Sequence, residues 1–184
     1  MPNTFSKILT KDYAHLVKTY GQTLEWLTDK ESLMEAAMVY YPYYFAEPTE
    51  AQITNIGNKP YLEYIDLQAS VRNAADKLEF TPLFEGECVL QAFARCFQLL
   101  YIMSKFEAMF TNIGKGSGDS SSFDFARKYG EYGAVLSIAD GYALSLKEVE
   151  GFTAYQVFIN LDYLSGKIEA EKLHKQLKGS NATP

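Results

Sequence analysis

Two histidines, two cysteines and a few paired carboxylates are the side chains in this sequence that could do chemistry. His15 and His174 lie near opposite ends of the chain, and Cys88 and Cys96 stand eight positions apart. That spacing makes neither a His-x-x-x-His nor a Cys-x-x-Cys zinc pattern. Placed in one helix, the two thiols would sit about 12 Å apart, beyond disulfide reach, and two free thiols suit a reducing compartment. His15, between Tyr13 and Leu16, reads as a partly packed histidine with no Ser or Cys nucleophile beside it. His174 reads as a solvated residue in a polar helix end. Glu85 with Glu87, and Glu148 with Glu150, are two apart, and such pairs do not share a helix face. Gly114-Lys115-Gly116-Ser117-Gly118 lacks the earlier Gly, the following Ser or Thr and the preceding strand of a phosphate loop, and reads as a flexible linker. The sequence therefore supplies no catalytic, cofactor-binding or metal-binding residue, no cofactor is expected, and an enzyme is not expected.

What the chain has in excess is aromatic surface: 14 Tyr, 12 Phe and 1 Trp, or 15% of residues. The densest string is Tyr40, Tyr41, Tyr43, Tyr44 and Phe45. It can pack into its own core, anchor a protein interface where an apolar ring with a polar tip is useful, or stack on single-stranded nucleic acid. The last is disfavoured by Glu35, Glu47 and Glu50 nearby. Pro42 puts the string at a chain turn, so its rings point in different directions and cannot all face one core. At least one of the five is expected in a protein–protein contact.

The elements that must position these residues are helices. Tyr13, Leu16, Val17, Tyr20, Leu24 and Leu27 recur at steps of three and four, predicting a helix over 11–28 with Thr10 as its cap. A second helix is predicted over 30–41, with Leu33, Met34, Ala37 and Met38 inward and Pro42 ending it. A short helix from Pro48 to Ile56, stopped by Gly57, precedes one over 61–79, where 61–67 could instead be a strand. The longest helix, about 82–110 with a possible late start at Gly86, is apolar almost all round and predicts a buried centre, with Phe97 and Leu100 deep inside. A helix over 123–139 ends at Gly141. Ser145 with Glu148, and Thr153 with Gln156, form successive capping boxes that open a short helix and a final one over 154–178. The fold class is all-α: one compact bundle of six to eight helices around a buried central helix. It is a single domain, 1–184, in which a Gly/Ser loop at 114–122 separates residues 1–113 from 123–178, followed by a tail at 179–184.

Composition narrows the function class. The net charge is 17 − 23 = −6, and Lys outnumbers Arg, both poor for general nucleic-acid binding. The start lacks the apolar stretch of a signal peptide, the Asn-Ala-Thr sequon at 181–183 reads as chance, and no apolar run is long enough for a membrane span.

Residues 123–178 run helix, tight Gly turn, capped short helix, Gly, long helix. Around Leu144-Ser145-Leu146-Lys147-Glu148-Val149 this resembles the small helical proteins of tailed bacteriophages, notably the tail-assembly-chaperone type. The resemblance implies a structural or assembly component of the virion, without catalytic residues. Its partners would be protein subunits, itself or other virion proteins, in an oligomer or larger assembly, and its location the bacterial host cytoplasm or the virion. Two other classes fit the composition: a regulatory or inhibitory protein binding a single host or toxin protein, and a helical enzyme or ligand pocket lined by Phe93, Phe97, Tyr101 and Phe106.

Overall fold

Local hydrogen bonds set four of the helix starts. In the computed structural model, which describes residues 8–20, 28–81, 83–111, 113 and 132–180, Asp29 accepts from the Glu31 N–H at 3.1 Å and opens α2, Lys30–Tyr40. Thr49 and Gln52 exchange backbone-to-side-chain bonds at 2.8 and 3.3 Å and open α3, Glu50–Gly57. That start lies after Pro48, the expected one. Both expected capping boxes form. Ser145 and Glu148 open α7, Leu146–Glu150; Thr153 and Gln156 open α8, Ala154–Ser180. The remaining elements are α1 Thr10–Tyr20, a 3-10 turn Pro42–Phe45, α4 Tyr61–Lys77, α5 Val89–Glu107 and α6 Tyr132–Tyr142. Among the described residues there are eight α-helices and no strand, so the all-α expectation holds. The expected linker at 114–122, the 123–131 part of the expected helix over 123–139, the 21–27 part of the expected helix over 11–28 and the sequon lie outside the described residues.

The Ser145 box holds a helix of one turn and a half, so its loss is legible. Ser145→Ala removes the acceptor for the Glu148 N–H and lowers stability by about 1 kcal/mol; urea unfolding of the variant at unchanged m checks it.

Four helix starts, that of α8 among them, are joined in pairs by isolated antiparallel bridges, Leu9 with Cys88 and Pro60 with Thr153. The Thr10 N–H donates to the Glu87 carbonyl at 3.1 Å and the Val89 N–H to the Ile8 carbonyl at 2.9 Å. The Tyr61 N–H donates to the Phe152 carbonyl at 3.0 Å and the Ala154 N–H to the Lys59 carbonyl at 2.8 Å. First-turn amides have no partner within their own helix; here each pair of starts satisfies the other. Thr10 is consequently not the side-chain cap expected of it: its buried hydroxyl donates to the Phe84 carbonyl at 3.1 Å. Residues 61–67 are helix, not strand, since only Pro60 takes part in pairing.

Two expected boundaries move for steric reasons. α5 begins at Val89, by the late start expected after Gly86 and not near 82, because residues 83–86 form turns and Gly86 takes φ +85, a value that favours glycine. Cys88 therefore precedes the helix that holds Cys96. Gly141 does not end α6; a Cβ there would meet the Leu164 side chain at 3.0 Å, so the glycine serves close approach of α6 to α8. The stop comes at Ala143, φ +54, with the Leu144 N–H returning to the Ala139 carbonyl at 2.9 Å, the closing bond of a Schellman turn.

The chain divides into two compact units: Met1–Ile53 with Asp66–Lys105, and Thr54–Ile65 with Phe106–Pro184. The first has a core of Tyr13, Leu33, Val71, Phe80, Leu90 and Phe93, with Phe80 edge-on to Phe93 at 6.2 Å. Burial pushes the Tyr13 phenol above its ordinary range and the Cys96 thiol up to about 12, so Cys96 is an inert core residue. The second unit is built on rings. Phe106 lies 5.7 Å from Tyr64, 5.3 Å from Phe110 and 5.2 Å from Phe158, and the Tyr64 hydroxyl donates to Glu107 at 2.6 Å.

Candidate functional site

Proline at position 42 decides the layout of the aromatic string. The residue before proline avoids helical dihedrals, and Tyr41 leaves α2 at φ −134, ψ 50 while its N–H still donates to the Ala37 carbonyl at 2.8 Å. The next four residues wind into the 3-10 turn. The rings then divide. Tyr41, Tyr44 and Phe45 are half-buried and pack against the first unit's core, whereas Tyr40 and Tyr43 are exposed.

The inward rings anchor the outward ones. The Tyr41 hydroxyl lies 3.1 Å from Cys88 Sγ; that hydrogen bond, with desolvation behind it, raises the phenol to about 12. Phe45 sits 6.4 Å from Phe97 of α5. Tyr43 lies 4.2 Å from Tyr44 and edge-on to Tyr41 at 6.3 Å. A hydrogen bond with Tyr44 is the main cause of its raised phenol pKa, and Glu87 adds to the shift while Arg95 opposes it. These rings form a supported ledge rather than a mobile tag.

Two residues of α2 just before the string are exposed as well. Met38 is 51% and Val39 75% exposed. Met38 was expected to face inward with Leu33, Met34 and Ala37; the buried side of α2 is instead Leu33, Ala36 and Ala37, which turns Met38 outward with its neighbour. The alternation that would have revealed this is hidden because α2 is apolar beyond its buried stripe.

Beside the ledge is a groove of about 370 Å³ lined by Tyr44, Phe45, Phe97, Leu100, Tyr101 and Ser104. Phe97 and Leu100 were expected to be deeply buried and are only half-buried. They sit on the side of α5 that opens to this groove, while Leu90, Phe93 and Cys96 take the core side. The expected aromatic pocket assembles only in part: Phe97 packs on Phe93 at 5.0 Å and lines the groove with Tyr101, but Phe93 is enclosed in the first core and Phe106 belongs to the second unit's ring cluster.

A charged rim borders the groove. Tyr101 donates to Glu47, Lys105 pairs with the same carboxylate, and the Lys105 ammonium lies 5.2 Å above the Tyr101 ring. Lys105 first, then the Tyr101 hydroxyl, hold Glu47 below its ordinary 4.5. A depressed carboxylate stabilises the fold above its unfolded pKa, and that contribution is lost as pH falls through the folded value. An NMR titration should place the Glu47 midpoint below 4.5, and Lys105→Met should return it upward.

The remaining candidates are dispersed. His15 is exposed, not partly packed, and His174 is exposed as expected. Glu87 pairs with Arg95, whose guanidinium lies 4.9 Å over the Phe84 ring, while Glu85 is exposed. Glu148 serves its capping box. Among the described residues no three His, Cys, Asp or Glu side chains cluster as a metal site would require, and no helix is long and apolar enough to cross a membrane. What the arrangement offers chemically is an apolar surface edged by phenols and one ion pair. No family model, curated protein or solved structure matches the chain.

Proposed function

We propose that this chain is a non-enzymatic protein-binding protein whose contact surface is the ledge Met38, Val39, Tyr40 and Tyr43, held up by Tyr41, Tyr44 and Phe45. The observation that carries the reading is that Tyr40 and Tyr43, with Met38 and Val39 just before them in the chain, are exposed while Tyr41, Tyr44 and Phe45 between and beside them are fixed to the core. An apolar patch of this kind on a folded surface marks an association site. Tyrosine is well suited to it because a rigid ring costs little entropy on binding while its hydroxyl keeps a partner at the rim.

The class of partner follows from the resemblance of residues 123–178 to small phage proteins: a subunit of a tailed-phage particle or of its assembly line. The test is affinity capture from the native source. The intact chain should retain one such subunit, and Tyr40→Ser combined with Tyr43→Ser should release it. Equal capture by both proteins rejects the ledge as the contact surface.

A further inference from the structure

The outer face of α8 carries large apolar side chains that stay exposed, and among the described residues the one ring found against it is Tyr142, stacked on Tyr163. Ala154, Val157, Leu161 and Leu164 lie on the packed side, and Leu164 meets Gly141 of α6. At 100° per residue, Ile159, Tyr163, Gly166, Ala170 and Leu173 fall on the opposite side. Of these, Ile159, Tyr163 and Leu173 are 44%, 61% and 61% exposed. Their spacing alternates four and three, the repeat of a coiled-coil seam, with Ile159, Gly166 and Leu173 at d and Tyr163 and Ala170 at a.

We infer that this face pairs with the same face of a second copy of the chain, forming a short parallel coiled coil. Three observations select that occupant. The first is charge. The g positions beside the seam are Asp162 and Glu169, and the e positions are Asn160, Lys167 and His174. In a parallel pair g faces e of the other helix, so Asp162 meets Lys167 and Glu169 meets His174 of the second copy. In an antiparallel pair g faces g, and the two acids would oppose each other. The face is thus complementary to itself in one orientation.

The second observation is shape. A depression of about 510 Å³ is lined by Ile159, Asp162, Tyr163, Gly166 and Lys167. In a parallel, in-register pair, an a-position knob enters the hole made by the facing helix's preceding d and g, its a and its following d. For Tyr163 those four are Ile159, Asp162, Tyr163 and Gly166, all of them in the lining of the depression. Gly166 leaves the space the incoming ring needs, and the Tyr142 ring stacked 6.5 Å from Tyr163 stiffens the wall.

The third is length. Every residue from Lys167 to Gln176 is exposed, so more than two turns of α8 stand in solvent. A helical stretch that short is marginal alone in water, and a second copy would cover it.

The inference is independent of the ledge on the first unit. Sedimentation equilibrium of the full chain, over micromolar to hundreds of micromolar protein, should show a monomer–dimer equilibrium with a micromolar dissociation constant. Ile159→Glu combined with Tyr163→Glu should raise that constant at least tenfold with helicity unchanged. Asp162→Lys alone and Lys167→Glu alone should each weaken the homodimer, and mixing the two proteins should recover a heterodimer that pairs opposite charges on both sides. These two surface exchanges also carry the test should the first variant lose helicity. A chain that stays monomeric throughout overturns the inference. So does a dimer that ignores the seam substitutions, one whose two charge variants fail to recombine, or one abolished instead by Tyr40→Ser with Tyr43→Ser.

Discussion

Phe106→Ala should lower the unfolding free energy by about 3–5 kcal/mol, the range for removing a large aromatic side chain from a closed core. Phe106 is 1% exposed and touches Tyr64, Phe110 and Phe158. Its ring also lies against the backbone of α3: a Cβ built on Gly57 would come within 2.7 Å of it. Backbone cannot move into the space the ring leaves, so a cavity remains and its cost adds to the lost transfer energy. Leu100→Ala is the contrast. Leu100 lines the groove and is only partly buried, so its truncation should cost less, about 1 kcal/mol. Urea denaturation of both variants measures the difference. A loss below about 1 kcal/mol for Phe106→Ala would mean that the ring cluster is not a packed core.

Replacing Tyr40 and Tyr43 together by Ser should separate binding from folding. Both rings are exposed, so stability should change by about 0.5 kcal/mol or less per site, as for ordinary surface substitutions. A ring that anchors an interface is worth about 2 kcal/mol or more, so partner affinity should fall at least tenfold. Tyr44→Ser behaves differently. That ring is half-buried, packs on the core and lines the groove, so its loss should lower the melting temperature as well. The decisive measurement is the pair of ratios, affinity and melting temperature, for the double variant against Tyr44→Ser. Unfolding of the Tyr40→Ser/Tyr43→Ser protein would assign the whole string to the core.

Helical class and several helix starts were legible because they depend on residues close in sequence. Ser145 with Glu148 and Thr153 with Gln156 place donor and acceptor within one turn, so the bonds form wherever the rest of the chain lies. Pro42 likewise acts on its own neighbours, which is why a split of the aromatic string into inward and outward rings could be expected from the order of residues alone. Which ring went which way could not. Tyr41 is held by Cys88 and Phe45 by Phe97, partners far along the chain. The same holds for Thr10, whose hydroxyl was claimed by Phe84 instead of its own helix, and for Gly141, where the need was space for Leu164 and not a stop. α5 shows the limit most clearly. Its composition announces burial on nearly every side, yet Phe97 and Leu100 border a groove. Hydrophobicity states what a side chain would gain by leaving water; whether another element arrives to cover it is decided by tertiary packing.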